Sequence, residues 1–311
     1  MTFLPKTSTI LPDSNMAKKQ ANRARRLSAA AYFTDSSLPL RVIRIARHGI
    51  LHTQHGHEFE ELVVVTAGRG VHHVGNESYE IGAGEVFVIL PGMTHAYPEA
   101  ESLSLINILY DMRRLRMPRA DLGALPGYHA LFEVEPRMRQ RERFKNRLKL
   151  SAAELARALE VVGRMEHEIG EQEPGHRFHA LAGFMQLVGM LARAYSRIRE
   201  DLPQPVTQIS RLLGHLHQHA AEPLSVAAMG RMAGMSASTL HRTFKAVTGY
   251  SPADYLIRLR VDRARGLLRT GGMRVTEVAG AAGFEDSNYF ARQFRRVTGM
   301  SPREYAQRVG R

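Results

Sequence analysis

A tandem repeat in the last third of the chain constrains the fold more than any other feature of the sequence. Val226–Met235 aligns with Val275–Phe284 at an offset of 49 residues, and Leu240–Pro252 aligns with Phe290–Pro302 at an offset of 50. Each copy predicts a short Ala-rich helix, a turn led by glycine, a second helix and then Thr-Gly-x-Ser-Pro. Glycine suits the left-handed position that ends a helix, and Ser-Pro suits the start of the next helix. The pattern therefore indicates two helix-turn-helix motifs.

The segment between the copies predicts a helix that sets their separation. Pro252–Arg269 carries apolar residues at helical spacing among arginines. A helix of about 18 residues is roughly 27 Å long, and the major groove of DNA repeats about every 34 Å. Two recognition helices held this far apart are expected to reach successive major-groove segments.

These motifs resemble the DNA-binding domain of the AraC/XylS family of bacterial transcription regulators. The matching residues are Gly283-Phe284-x-Asp286, Tyr289-Phe290-x-Arg292-x-Phe294 and Thr298-Gly299-x-Ser301-Pro302. Val261 and Asn288 depart from the residues usual at their positions. The resemblance implies a sequence-specific transcription regulator whose partners are double-stranded DNA and RNA polymerase.

The resemblance also places DNA contacts, mainly on the second helix of each motif. Early residues of that helix are expected at base edges, and basic residues at phosphates. The predicted base contacts are Ser238, His241, Arg242, Ser287, Asn288, Tyr289 and Arg292, and the predicted phosphate contacts are Lys245, Thr248, Thr276, Arg295 and Arg296. The simpler alternative for any of the arginines is that it only solvates its helix face. Leu240, Phe244, Phe290 and Phe294 alternate with these positions and are predicted to lie in the core.

The net charge of +13 is concentrated where DNA contacts are expected. Residues 225–311 hold 15 Lys and Arg against 6 Asp and Glu, whereas residues 41–224 hold 22 of each. A positive field of this kind attracts phosphates. The chain has no cysteine, which excludes disulfides and thiolate metal sites, and no apolar run long enough to span a membrane. We therefore expect a cytoplasmic protein with no membrane partner.

The length of 311 residues fits two domains. Residues 1–38 are basic and lack apolar periodicity, so they predict a disordered tail, with a DNA-tracking arm as the alternative. Residues 39–200 are predicted to form a ligand-sensing and dimerisation domain, residues 201–205 a linker, and residues 206–311 the DNA-binding domain. The expected fold class is α+β, with an N-terminal β-barrel and flanking helices followed by an all-α tandem helix-turn-helix domain.

Short apolar runs separated by glycines predict the strands of the barrel. The runs are Leu62–Val65, Val86–Ile89 and Leu103–Leu109. Two histidine motifs lie among them, His55-x-His57-x3-Glu61-x6-Gly68 and Gly84-x5-Leu90-x-Gly92-x2-His95. Their spacing resembles that of the two cupin motifs, which implies a cupin-like barrel. Cupin sensors are also carried by sugar-responsive members of the AraC/XylS family.

The histidine motifs predict a site inside the barrel. His55, His57 and Glu61 have the same parity, so they are expected on one face of a strand. Three interpretations stay open: contacts to sugar hydroxyls, a divalent metal held by these residues and His95, or a polar network that satisfies itself. Apart from that metal, no cofactor is expected. Asn107 is a predicted further ligand contact, and His72, His73 and Tyr97 are other candidates.

Three stretches narrow the resemblance to one kind of regulator. His95–Pro98, Leu105–Tyr110 and Phe284–Tyr289 resemble the regulators of L-rhamnose catabolism in enteric bacteria. The resemblance implies an activator of sugar catabolism genes that binds L-rhamnose or a related sugar. The alternatives are a metal-dependent cupin enzyme, of isomerase or dioxygenase type, with an accessory DNA-binding module, and a ligand-independent architectural or repressor protein.

Two amphipathic helices are predicted after the barrel, at Ser151–Glu171 and His176–Arg199. Their apolar stripes are Leu155, Leu159, Val162, Met165 and Ile169 in the first helix and Phe184, Leu187, Val188 and Leu191 in the second. Such stripes usually lie in a core. Family resemblance favours one of them on the monomer surface, where it would form the interface of a homodimer. The Arg-rich segment 113–150 gives no interpretable pattern.

Overall fold

The computed structural model describes residues 25–47, 51–75, 77–115, 117–118, 120–139, 148–197 and 204–309. The strands are β1 (Arg25–Leu27), β2 (Leu40–Ile45), β3 (Leu51–His57), β4 (Glu60–Val74), β5 (Glu77–Gly82), β6 (Glu85–Ile89), β7 (Thr94–Tyr110) and β8 (Leu148–Lys149). The sensor-side helices are α1 (Ala29–Tyr32), α2 (Ala120–Gly123), α3 (Pro126–His129), a π-helical turn (Ala130–Val134), α4 (Glu135–Arg139), α5 (Ala152–Glu171) and α6 (His176–Arg197). The remaining helices are α7 (Gln204–Gln218), α8 (Val226–Met232), α9 (Ala237–Thr248), α10 (Pro252–Thr270), α11 (Val275–Ala281), α12 (Ser287–Thr298) and α13 (Pro302–Val309). Within these residues, no helix is long and apolar enough to span a membrane.

The barrel is built around β7, its longest strand. β7 pairs in antiparallel fashion with β2, β3 and β4, so that Asn107 lies between Ile43 and Val63. Successive strand residues alternate between two cores. Val63, Val65, Phe87, Ile89, Leu103 and Leu105 fill the barrel, whereas Leu62, Val64, Val86, Val88, Ile106 and Ile108 face the helices. The three strands predicted from apolar runs are confirmed.

The outer face of the barrel is covered by α5 and α6, whose apolar stripes lie mainly in the core. All four stripe residues of α6 are buried, as are Val162 and Met165 of α5. Leu155, Leu159 and Ile169 are half-buried against the same core. The expectation that one whole stripe lies on the monomer surface is wrong, because the apolar outer face of the sheet needs both helices to cover it.

The chain enters the barrel earlier than predicted. Residues 1–24 of the predicted tail lie outside the described residues, but residues 25–38 do not form a tail. β1 pairs in parallel with β3, and both Phe33 and Leu38 are buried. The predicted linker 201–205 also needs correction, because α7 begins at Gln204. Residues 201–203 lie outside the described residues.

The two helix-turn-helix motifs form as the repeat predicts. Ser225 and Ser236 accept hydrogen bonds from backbone N–H groups at the starts of α8 and α9, and Asp286 does so for α12. Gly234 and Gly283, in the two turns, have φ values of 59° and 94°, which glycine adopts without strain. The linking helix α10 has 19 residues, which corresponds to roughly 28 Å.

The two motifs differ in what they pack against. The first motif shares one continuous core with α6, α7 and the π-helical turn, through residues such as Met229, Leu240 and Phe244. The second motif has a separate core that includes Phe290 and Phe294. Helix α10 contributes Leu256, Val261, Ala264 and Leu268 to these cores, the first to the shared core and the others to the second. Among the described residues, the core of the sensor is therefore continuous with that of the first motif and separate from that of the second.

Candidate ligand cavity and nucleic-acid interface

Four histidines and a glutamate meet inside the barrel. β3 supplies His55 and His57, β4 supplies Glu61 and His72, and β7 supplies His95. All except His55 are buried, and the pairing of His55 with His95 joins the two motifs. The expectation that His55, His57 and Glu61 share one strand is wrong, because a bend ends β3 before β4 begins. Both strands nevertheless direct these side chains into the cluster.

The closest charged contact in the cluster joins His57 and Glu61. His57 Nδ1 donates to the backbone carbonyl of Phe59 at 2.5 Å, so this nitrogen carries a hydrogen. Its Nε2 lies 3.0 Å from Glu61 Oε2, outside good hydrogen-bonding angles. In the neutral ring a lone pair would face the carboxylate. A metal ion between these atoms would offset the negative charge of the carboxylate.

Glu61 is held in its ionised form. Burial acts to raise the pKa of this carboxyl group, but contact with His57 and the charges of His95 and His55 outweigh burial and lower the pKa below its ordinary value of 4.5. The barrel thus contains a buried negative charge surrounded by imidazoles.

The remaining imidazoles form a chain through His95. His95 Nε2 lies 2.8 Å from His55 Nε2, and His95 Nδ1 lies 3.4 Å from His72 Nε2. Both contacts are satisfied when His72 donates to His95 and His95 donates to His55. The chain orients the His55 ring towards the cavity described below.

Three residues of the cluster fit the coordination of a divalent metal. One ligand atom each from His57, Glu61 and His95 lie within 4.8 Å of one another. Imidazole nitrogen and carboxylate oxygen suit Zn²⁺ and iron. A metal here would place positive charge beside the Glu61 carboxylate.

A cavity of about 250 Å³ opens beside the cluster. Its polar wall consists of His55, Glu61, Tyr97 and Asn107, and its apolar wall consists of Leu27, Tyr32, Ile43, Ile45, Phe59 and Leu109. Asn107 Oδ1 is buried and accepts no hydrogen bond from the described residues. A larger concavity of about 690 Å³ lies elsewhere on the barrel, lined by exposed charged residues. We take the smaller cavity as the candidate site, because it alone of the two adjoins the histidine cluster.

The sequence predicted most residues of the polar wall of the cavity but not those of its apolar wall. His72 and Tyr97 stack with ring centroids 4.9 Å apart beside the cluster, whereas His73 alternates to the other strand face. Leu27 and Tyr32 come from the segment predicted as a tail. No sequence signal marks them, since β1 is only three residues long.

The predicted DNA contacts lie on the surface, with one exception. All of these side chains except Thr248 are exposed, whereas the four predicted core residues are fully buried. Thr248 is half-buried, and its hydroxyl donates to the backbone oxygens of Phe244 and Tyr250. Arg292 lies over the ring of Tyr289 at 5.9 Å. Arg296 already has an ionic partner, because it pairs with Asp254 of α10 at 2.8 Å. A phosphate at Arg296 would compete with that ion pair.

Comparison with known proteins identifies the family. A helix-turn-helix domain model matches residues 229–308, and an AraC-like ligand binding domain model matches residues 39–188. The HTH-type transcriptional activator RhaS of Escherichia coli O127:H6 is 32% identical over 254 residues, which cover 82% of this chain and 87% of RhaS. The chain belongs to the AraC/XylS family of transcription regulators. RhaS of Enterobacter sp. strain 638 is 34% identical over 258 residues, with the same coverage of both chains.

Two solved structures resemble this chain, one over about a third of its length and the other over most of it. The DNA-binding domain of AdpA in complex with a target DNA is 33% identical, covers 32% of this chain and 91% of its own, and has a TM-score of 0.31. ToxT from Vibrio cholerae is 17% identical, covers 86% of this chain and 97% of its own, and also has a TM-score of 0.31.

Family membership decides between the classes of function left open by the sequence. The protein is a DNA-binding transcription regulator, and the predicted α+β two-domain fold is confirmed. Because the relatives reported above are transcription activators, the cupin-enzyme alternative is not retained.

Proposed function

We propose that this regulator activates sugar catabolism genes in response to L-rhamnose, or a related 6-deoxyhexose, bound in the barrel cavity. The observation that carries the proposal is the two-sided lining of the cavity, with polar groups on one wall and apolar groups on the other. The relatives named RhaS support the activating direction.

The chemistry of a 6-deoxyhexose matches both walls. Its hydroxyls can donate to Glu61 and to Asn107 Oδ1, which otherwise lacks a donor, and can exchange hydrogen bonds with His55. Its ring C–H groups and methyl carbon suit the aromatic and aliphatic side of the cavity. The volume of about 250 Å³ is below the usual range for drug-sized ligands, as a single sugar ring requires.

The decisive experiment compares L-rhamnose with L-mannose, which differs only by a hydroxyl on carbon 6. Thermal unfolding and titration calorimetry of the full chain are measured with each sugar. A ligand at 100 times its Kd adds about 2.7 kcal/mol of stability, enough for a shift of several degrees. We expect L-rhamnose to give this shift and L-mannose to bind at least about tenfold more weakly, because its extra hydroxyl meets an apolar wall. Equal binding of the two sugars, or binding of neither, would contradict the proposal.

A matched pair of variants locates the binding site. Asn107→Ala should weaken L-rhamnose binding by about 1 to 3 kcal/mol, whereas Asn288→Ala, an exposed change in α12, should leave it unchanged. Weakening by both variants alike would place the sugar elsewhere.

The same samples test the metal interpretation of the cluster. The measurements are repeated after dialysis against EDTA and after addition of Zn²⁺. If EDTA lowers the unfolding temperature and Zn²⁺ restores it, His57, Glu61 and His95 hold a metal. If neither has an effect, the cluster holds no metal and the metal interpretation is wrong.

The proposal extends to the assembly that activates transcription. We propose a cytoplasmic homodimer that contacts RNA polymerase at promoters of sugar catabolism genes. The half-buried edge of α5, at Leu155, Leu159 and Ile169, is the candidate dimer contact. Sedimentation equilibrium should give twice the chain mass of 34.8 kDa, and a reporter gene should respond to L-rhamnose only when the regulator is present.

A further inference from the structure

The sensor and the first helix-turn-helix motif meet at a tightly packed seam. On the sensor side the seam consists of α2, α3, the π-helical turn and α4, and on the other side of α7 and α9. A methyl group on Gly123 would lie 2.3 Å from His217 Nδ1, and one on Gly214 would lie 3.2 Å from the carbonyl oxygen of Ala124. A side chain at Gly123 would therefore displace the His217 ring, and one at Gly214 would be in tight contact with Ala124, so the elements approach closely here.

His129 anchors the sensor side of the seam. Its Nδ1 lies 2.8 Å from Glu133 Oε2, and its Nε2 lies 2.7 Å from the backbone oxygen of Gly123. Burial acts to raise the pKa of Glu133, but His129 and nearby Arg137 outweigh burial and lower it, so both partners of the ring are acceptors. The His129 ring is therefore held between two oxygen atoms, one on each side, and is fully buried.

His217 of α7 links this anchor to the DNA-binding side. Its ring lies 5.0 Å from the ring of His129, and its Nε2 lies 3.0 Å from the hydroxyl of Tyr255 on α10. The ring of Tyr255 packs edge-on against Phe244 at 5.3 Å. Phe244 is a buried residue of α9, the first recognition helix. One line of contacts thus runs from the sensor through His217 and Tyr255 to the first recognition helix, beside the direct packing of α9 on the π-helical turn and α4.

The other end of this line reaches the cavity. Asn107 lines the cavity on β7, and Tyr110 lies three residues further along the same strand, buried against Phe184 at 4.9 Å. Tyr110 shares its core with Tyr128, which directly precedes His129. A displacement of β7 on ligand binding would therefore be passed to His129 through packed side chains rather than through solvent.

We infer that His217 and Tyr255 are positioning residues that couple occupancy of the barrel cavity to the placement of the first recognition helix. The hydrogen bond between them joins α7, which packs on His129, to α10, whose Tyr255 packs on Phe244 of α9. The second motif has its own core, to which α10 contributes, and would therefore move together with α10. The inference rests on the proposed function for the identity of the effector, but not for the existence of the coupling.

The first test removes one hydroxyl at the seam. DNA affinity is measured for a duplex selected in vitro with the full-length protein, with and without saturating L-rhamnose, and the ratio of the two Kd values is the coupling. In Tyr255→Phe the aromatic packing stays and one hydrogen bond is lost, so the coupling should fall by about two- to tenfold towards unity. Tyr250→Phe is the matched control, because Tyr250 is exposed and its contact with Arg258 needs only the ring. A wild-type coupling in Tyr255→Phe would overturn the inference.

The second test acts from the sensor side. Gly123→Ala places a methyl group against His217 and should displace its ring from Tyr255, which lowers the coupling while leaving L-rhamnose affinity unchanged. Gly163→Ala is the control, since nothing lies within 4 Å of its added carbon. Loss of sugar binding together with coupling, or unchanged coupling, would contradict the role of His217.

A third measurement separates this inference from the proposed effector. If L-rhamnose does not bind the wild-type protein, coupling is read from the DNA side, as the change in amide hydrogen exchange of residues 120–139 when the selected duplex is added. A change in the wild type that is lost in Tyr255→Phe supports the inference although the effector is wrong. No change in the wild type overturns the inference.

Discussion

Two polar groups in the barrel, the Oδ1 atom of Asn107 and the carboxylate of Glu61, are buried. Asn107 Oδ1 lacks a donor among the described residues, and Glu61 carries a negative charge. A buried acceptor such as Asn107 Oδ1 without a donor costs about 1 to 3 kcal/mol. Glu61 is 3% exposed and depends on its imidazole neighbours for charge balance. Asn107 therefore lowers the stability of the ligand-free barrel, and a bound sugar hydroxyl recovers part of that loss.

The ionised state of Glu61 gives the barrel a defined pH dependence. A carboxyl group with a lowered pKa in the folded state stabilises the fold above its unfolded pKa of 4.5, and this contribution disappears as pH falls through the folded value. We expect the unfolding temperature of the wild type to fall below about pH 4.5 more steeply than that of Glu61→Gln. Scanning calorimetry from pH 3 to pH 7 checks this. Glu160→Gln, an exposed change on α5, should follow the wild type, and a parallel curve for Glu61→Gln would show that Glu61 does not titrate as described.

Arg292 is expected to read a base rather than a phosphate. Arg292→Ala should cost about 1 to 3 kcal/mol of affinity for the selected duplex and relax preference at one base pair. Competition with duplexes that carry single base-pair changes measures both effects. Arg269→Ala, exposed at the end of α10, should change neither. Equal loss of affinity for every duplex would assign Arg292 to the backbone.

At the scale of elements, a glycine in a turn of the repeat tolerates a side chain less well than a glycine within a helix. Gly283 has a φ of 94°, and an added Cβ would lie 2.7 Å from backbone atoms of Ala221. Gly280, three residues earlier in α11, has nothing within 4 Å of such a carbon. The same substitution therefore has opposite consequences at the two positions.

The two glycines form a matched test of the turn. Gly283→Ala should destabilise the protein by more than about 1 kcal/mol, because both the backbone conformation and the contact resist a side chain. Gly280→Ala should stabilise it by about 0.5 to 1 kcal/mol through helix propensity. Denaturant unfolding measures both values. Similar effects of the two changes would contradict the turn geometry.

At the scale of the whole molecule, α10 fixes the separation of the two recognition helices. A continuous helix of 19 residues cannot lengthen, so one chain is restricted to half-sites about one DNA turn apart. Inserting about 5 base pairs between the half-sites puts them on opposite faces of the duplex, and inserting about 10 restores the face but doubles the distance. We expect either insertion to lower the affinity of one chain by at least about tenfold. Recovery with the longer insertion would show that α10 is not a rigid spacer.

The sequence by itself determined the elements whose signals are local. Ser251 before Pro252, the turn glycines and the Leu240 and Phe244 spacing each act within a few residues, so the repeat was predictable in full. The same holds for the barrel strands, since short apolar runs bounded by glycines indicate strands that are buried on both faces. Recognition of the family followed from motifs of this local kind.

Only the tertiary structure decided which distant residues share a site. Leu27 and Tyr32 reach the cavity through a three-residue parallel strand whose partner lies in β3, and such pairing leaves no periodic signal. The segment that holds His129 gave no pattern, because its short helices are stabilised by packing against α6 and α7 rather than by their own propensity. The cavity and the seam are products of long-range packing, which sequence spacing does not encode.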